Sequence, residues 1–73
     1  MAFSVEVRGS EVKGERRVTL LDNGVHMGNV HARNLEQATT LLEARMRMFK
    51  NSGFVIRETD IATLLQQLRE RWS

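Results

Sequence analysis

Between residues 34 and 51 the apolar positions follow a helical period. Leu35, Ala38, Leu42, Met46 and Phe49 recur at i, i+3, i+7, i+11 and i+14, which places them on one narrow face. Asn34 is an N-cap residue, and Gln37 three positions later completes a capping-box pattern. Gly53 suits a left-handed stop just beyond the helix. Glu43 and Arg47 stand i, i+4 in the favourable order on the opposite, water-facing side. A second stripe, Leu41, Ala44 and Met48, flanks the first, with Arg45 between the two. Two readings account for it. One is a wide core face with scattered apolar residues, since exposed apolar side chains are ordinary. The other is a surface for a partner or a second copy, where methionine adapts its shape and arginine directs hydrogen bonds.

Before this helix the period changes to two. Phe3, Val5 and Val7 alternate with Ser4, Glu6 and Arg8, the pattern of a half-buried strand. Residues 9–15 form a polar loop bracketed by Gly9 and Gly14, in which Val12 has no evident role. Residues 16–21 read as a second strand, Asn23-Gly24 is a strong hairpin signal, and residues 25–32 return as a third. With that turn, Asp22 pairs with Val25, Leu21 with His26 and Leu20 with Met27. A bulge at Gly28-Asn29 opposite Thr19 then keeps Asn29 off the apolar face. Val18, Leu20, Val25, Met27, Val30 and Ala32 line one face; Arg17, Thr19, Leu21, His26 and His31 line the other.

After the central helix, residues 54–57 read as a short buried strand added beside the first. Thr59 or Asp60 then caps a second helix striped by Ile61, Leu64, Leu65, Leu68 and Trp72. Arg69 and Arg71 sit in its last turn, where they complement the helix dipole. The order is β-β-β-α-β-α, an α+β fold: an antiparallel meander plus one added strand, covered on one face by a long helix, with a second helix at the C-terminal end. That second helix either covers the same face or reaches out to a partner.

Composition narrows the classes. The 73 residues make a single domain, 1–73, which buries only ~60% of its unfolded surface and so has a small core. No cysteine reinforces it, which leaves dimerisation as one way to gain buried area. No apolar run approaches the ~18 residues of a membrane span, and the start of the chain lacks a signal-peptide pattern, so a cytoplasmic location is expected. Formal charge is only +2, but nine of the eleven basic residues are arginine, the cation suited to directional binding of carboxylates and phosphates.

No catalytic, metal or nucleotide motif is evident. His26 and His31 lack a third metal ligand at suitable spacing, and no serine or acid completes a nucleophile–base pair. Neither cofactor nor enzymatic activity is expected. The exposed sheet face brings Arg8, Arg17, His26 and His31 together, with Arg16 and Arg33 at the strand ends. A three-stranded sheet carrying arginine can read the major groove of DNA, although Glu6 shares the face and few aromatic residues are available for stacking.

Over residues 16–50 the meander followed by a helix opening N-L-E-Q-A resembles HicB-type antitoxins, integrase arm-binding domains and small phage anti-CRISPR proteins. The likeness rests on a hairpin and a capped helix. No diagnostic motif of those families is present, so no functional residues carry over. What the resemblance implies is a class: small stand-alone binders, inhibitors or regulators. The expectation is therefore a non-enzymatic protein that docks on and occludes a partner protein or nucleoprotein, of an anti-defence or antitoxin-like kind. Leu41, Arg45 and Met48, or Arg69 and Trp72 at the end of the second helix, are the expected contact residues, and a homodimer is one form the partner can take. The alternative is a small DNA-binding regulator using Arg8, Arg16, Arg17, His26, His31 and Arg33.

Overall fold

The computed structural model describes residues 2–72. Three strands, β1 (Phe3–Gly9), β2 (Arg16–Asp22) and β3 (Val25–Ala32), precede two helices, α1 (Leu35–Asn51) and α2 (Glu58–Trp72). The strands form one antiparallel sheet in the order β1-β2-β3. The turn between β2 and β3 uses positive φ at both Asn23 (51°) and Gly24 (82°), as a two-residue hairpin of matching twist requires. Asn23 also holds the start of the chain: its N–H donates to the Ala2 carbonyl at 2.9 Å, and its Oδ1 accepts from the Ala2 N–H at 3.2 Å.

The period-two pattern of β1 and β2 decides which face is buried. Val5 stands opposite Leu20 and Val7 opposite Val18, all turned to the same side. Beyond the hairpin the ladder slips once: Leu21 faces His26, yet Leu20 faces Gly28, so Met27 is the extra residue. The bulge is thus one residue earlier than the sequence pattern placed it, opposite Leu20 rather than Thr19. Thr19 faces Asn29, and the two side chains bond directly. Val25, expected among the core residues, is 63% exposed, because it lies at the hairpin end beyond the helical cover.

Both helices lie on the same face of the sheet, α1 against β3 and α2 against β1, and they also pack on each other. The core is the layer between: Val5, Val18, Leu20, Val30 and Ala32 from the strands, Ala38, Leu42 and Met46 from α1, Ile61, Leu64 and Leu68 from α2. Of the two expectations for the second helix, cover of the same face is the one realised.

The expected short strand over residues 54–57 does not form; Ile56 is its single buried side chain, and Val55 is 77% exposed. Its backbone groups are committed elsewhere. The Phe54 N–H donates to the Phe49 carbonyl at 3.1 Å and the Gly53 N–H to the Lys50 carbonyl at 3.3 Å, the paired bonds of a Schellman stop, with Gly53 at φ +103°. The accompanying apolar contact is Phe49 on Phe54, edge to face at 5.2 Å. The Arg57 N–H donates to Asp60 Oδ2 at 2.9 Å. The place beside β1 is also taken, since the Val5 N–H donates to Gln67 Oε1 of α2 at 3.3 Å.

Capping at the two helix starts differs in kind. At α1, Asn34 Oδ1 accepts from the Gln37 N–H at 2.7 Å, as the sequence pattern predicts, while Gln37 Oε1 accepts from the N–H of Arg33. At α2 the helix begins at Glu58, so Arg57 is the residue before it and neither Thr59 nor Asp60 is the cap. Asp60 acts from within the first turn, reaching back to the Arg57 amide; that hydrogen bond holds its carboxyl below the usual carboxylate range.

Candidate functional site: the outer side of α1

Helical geometry divides α1 into three strips. The strip toward the sheet is the core strip. A second strip faces α2 and carries a closed set of ion pairs. Arg47 donates to Glu43 Oε2 at 2.9 Å and to Glu58 Oε1 at 3.2 Å, and Lys50 Nζ donates to Glu58 Oε2 at 2.9 Å. Its hydrogen bonds from Lys50 and then Arg47 hold the Glu58 carboxyl below its ordinary range, while bonding to Glu58 and then Glu43 raises Arg47 above its own.

The third strip is the other flank, on the side of the unpaired β3 edge. It carries Leu41, Ala44 and Met48, and all three are exposed, Leu41 by 37% and Met48 by 63%. Arg45 lies between this strip and the core strip, half-buried. Its guanidinium reaches over β3 at Gly28, where Nη1 lies 3.5 Å from the position a Cβ would occupy. Among the described residues Arg45 has no carboxylate partner within ion-pair distance, in contrast to Arg8, Arg33, Arg47 and Arg57. The strip is therefore apolar surface with one unneutralised cation at its inner edge.

Arg69 and Trp72 do not join it. They lie on α2, which covers the far edge of the sheet. Trp72 is half-buried against the core, with the Arg16 guanidinium over its ring at 4.9 Å, a cation–π contact that ties the start of β2 to the end of α2. Arg69 is exposed and donates to Gln66 Oε1 on its own helix.

The sheet's outer face gathers most of the residues expected there, but many are engaged. Arg8 donates to Glu6 at 3.2 Å, and Arg33 lies 3.9 Å from Glu15. His26 Nε2 is 3.2 Å from Asn29 Oδ1, which also accepts from Thr19 Oγ1 at 2.8 Å. Arg16 is held on Trp72. Arg17 and His31 are direct cross-strand neighbours, and Arg17 has no carboxylate partner among the described residues. The loop 10–15 folds over this end of the face and leaves a cavity of about 680 Å³ lined by Ser10, Val12, Glu15, Arg17, Asn29 and His31 among others. Val12 thus forms part of its apolar rim, a placement that period-two and period-3.6 patterns could not reveal. Ser10 Oγ is 3.5 Å from His31 Nδ1 and accepts from the Val12 N–H at 3.3 Å. Among the described residues no group of three or more histidines and carboxylates is placed to hold a metal ion, and no helix is long and apolar enough to cross a membrane.

Set against protein-family models, curated proteins and solved structures, the chain finds no match.

Proposed function

We propose that this chain is a non-enzymatic binding protein that docks through the outer side of α1 and occludes the surface it covers. The supporting observation is the exposed Leu41–Ala44–Met48 strip. It is separate from the core strip of the same helix, lies beside an unpaired strand edge and is bordered by Arg45, whose charge no carboxylate of the described chain neutralises. An apolar strip with one directional cation at its margin suits a protein surface: the strip contributes non-directional burial and the arginine fixes register. The reading extends to an inhibitor or modulator of a cytoplasmic protein or nucleoprotein, of the anti-defence or antitoxin-like kind. A photo-crosslinking residue in place of Met48 tests it in cells. A discrete adduct that disappears with Leu41→Glu, and is absent when the probe replaces Gln66, supports docking at this strip; absence of any adduct at position 48 overturns it.

A second reading, DNA binding by the sheet face, draws on Arg17 and His31 beside the cavity. Phosphate contacts release counterions, so this activity must fall steeply between about 50 and 200 mM salt. Titration of random duplex at both salts, with Arg17→Ala/His31→Ala as the variant, separates the readings: binding that is unchanged by salt and by the variant, or no binding at all, rejects the sheet face.

A further inference from the structure

The loop between β1 and β2 is closed on itself. The Ser10 N–H donates to the Glu15 carbonyl at 3.4 Å and the Glu15 N–H to the Val12 carbonyl at 3.1 Å, which ties residues 10–15 into one turn. Gly14 supplies the left-handed step within it, at φ +85°. Ser10 Oγ accepts from the Val12 N–H and fixes that residue in turn. The closed loop roofs the 680 Å³ cavity on the outer face of the sheet with Val12, an apolar side chain that has no place in the core. That volume lies within the ~300–1,000 Å³ range of small-molecule sites.

The floor of the cavity carries more donors than acceptors. Asn29 Oδ1 is taken, since it accepts from Thr19 Oγ1 at 2.8 Å and lies 3.2 Å from His26 Nε2. The Asn29 amide is thereby oriented, and its Nδ2 donors meet no acceptor among the described residues. Beside it, the Arg17 guanidinium has no acceptor among them either, and His31 contacts Ser10 through Nδ1 while its Nε2 has no such partner. Unmatched donors on one wall call for an acceptor-rich group, an oxyanion. Charge decides which kind. Glu15 lines the same space but already faces Arg33 at 3.9 Å, and Glu11 adds a further negative charge. Among the described residues lining the cavity, Arg17 is the one permanent cation. A dianionic phosphate therefore finds no net positive field, whereas a carboxylate matches the guanidinium in charge and in planar geometry. We propose that the cavity binds a small monocarboxylate, with its head on Arg17, Asn29 Nδ2 and His31 and its apolar body under Val12. The site faces away from both helices, so it stands independently of docking through α1.

Isovalerate, one carboxylate on one short branched body, is the probe; isovaleramide and inorganic phosphate are the controls, all at one ionic strength. In proton–nitrogen correlation spectra isovalerate is expected to shift the backbone signals of Val12, Arg17 and His31 and the side-chain amide of Asn29. The cavity is open and the ligand small, so the shifts should saturate with a dissociation constant on the order of 1–10 mM. Arg17→Gln removes a charge-assisted contact and is expected to weaken binding roughly tenfold. Val12→Asp should weaken it as well, by replacing the apolar roof with a like charge. Arg8→Gln, next to Arg17 on β1 and already paired with Glu6, should leave binding unchanged. All three side chains are exposed, so each variant should keep the dispersed spectrum of the folded chain. Shifts that isovaleramide reproduces at the same concentrations overturn the proposal, as does an Arg8→Gln as damaging as Arg17→Gln. Phosphate binding as tight as isovalerate overturns it in favour of the nucleic-acid reading of this face. No saturable shift by about 50 mM isovalerate overturns it outright.

Discussion

Leu41 and Leu42 are neighbours in sequence and chemically identical, yet the structure gives them opposite environments, which makes their truncation a direct measure of the reasoning. Leu42 retains 1% of its surface and is enclosed by sheet and helices. Leu42→Ala loses the transfer term and leaves a cavity, for about 2–5 kcal/mol. Leu41 retains 37% of its surface and lies at an open flank, so Leu41→Ala leaves no enclosed void and costs about 1 kcal/mol or less. Both changes substitute alanine for leucine in the same helix, so the small propensity gain cancels in the comparison. A chain of this size is stable by roughly 4–11 kcal/mol at ~0.05–0.15 kcal/mol per residue, so Leu42→Ala removes a large part of the total. At ~4–8 °C per kcal/mol, thermal unfolding at low micromolar concentration should fall by roughly 8–40 °C for Leu42→Ala and by about 8 °C or less for Leu41→Ala. Equal losses would refute the division of α1 into a core strip and a free strip, and the docking proposal would fall with it.

Gly53→Ala is expected to cost about 1–2 kcal/mol for backbone reasons alone, since φ is +103° and an added Cβ meets nothing within 4 Å; Gly9→Ala, equally open but in a strand, should change urea stability little. In acid, Asp60 and Glu58 matter because their folded pKa values lie below the ordinary carboxylate range. Their contribution is full above pH ~5 and is lost as pH falls from there through the depressed folded values, so Asp60→Asn/Glu58→Gln should flatten the acid side of a stability–pH curve. A double-mutant cycle of Arg16→Ala and Trp72→Ala should return a coupling of about 0.5–1 kcal/mol; additivity would show that the stacked guanidinium contributes nothing.

The parts of the fold legible in the sequence are those set by local periodicity and local chemistry. The two-period runs fixed the meander, Asn23-Gly24 fixed its turn, and Asn34 with Gln37 fixed the start of α1. Residues 54–57 resemble a strand because three apolar residues stand in a row, while the bonds that prevent pairing come from Phe49, Lys50 and Asp60 on either side. The bulge lies one residue earlier because Gly28 rather than Met27 stands opposite Leu20, a choice that binary patterning alone does not make. At the candidate site the strip of Leu41, Ala44 and Met48 was visible as a surplus stripe, but its exposure depends on which flank α2 occupies, a tertiary fact. No pattern linked Arg47 to Glu58 or Arg16 to Trp72, since those pairs meet only when the two helices and the sheet assemble.

The seat of α2 on β1 sets a timetable for the chain as it is made. The β2–β3 hairpin can form within microseconds of its emergence, but Val5, Val18 and Leu20 receive their full cover only when Leu64 and Leu68 arrive from the last helix. At ~5–20 residues per second the roughly forty residues after β3 take about 2–8 s to synthesise. Throughout that interval the nascent sheet presents an apolar face and two open edges, one of which Gln67 later closes at Val5. Slow codons placed after β3 should therefore lower the soluble yield, whereas the same codons between β1 and β2 should not.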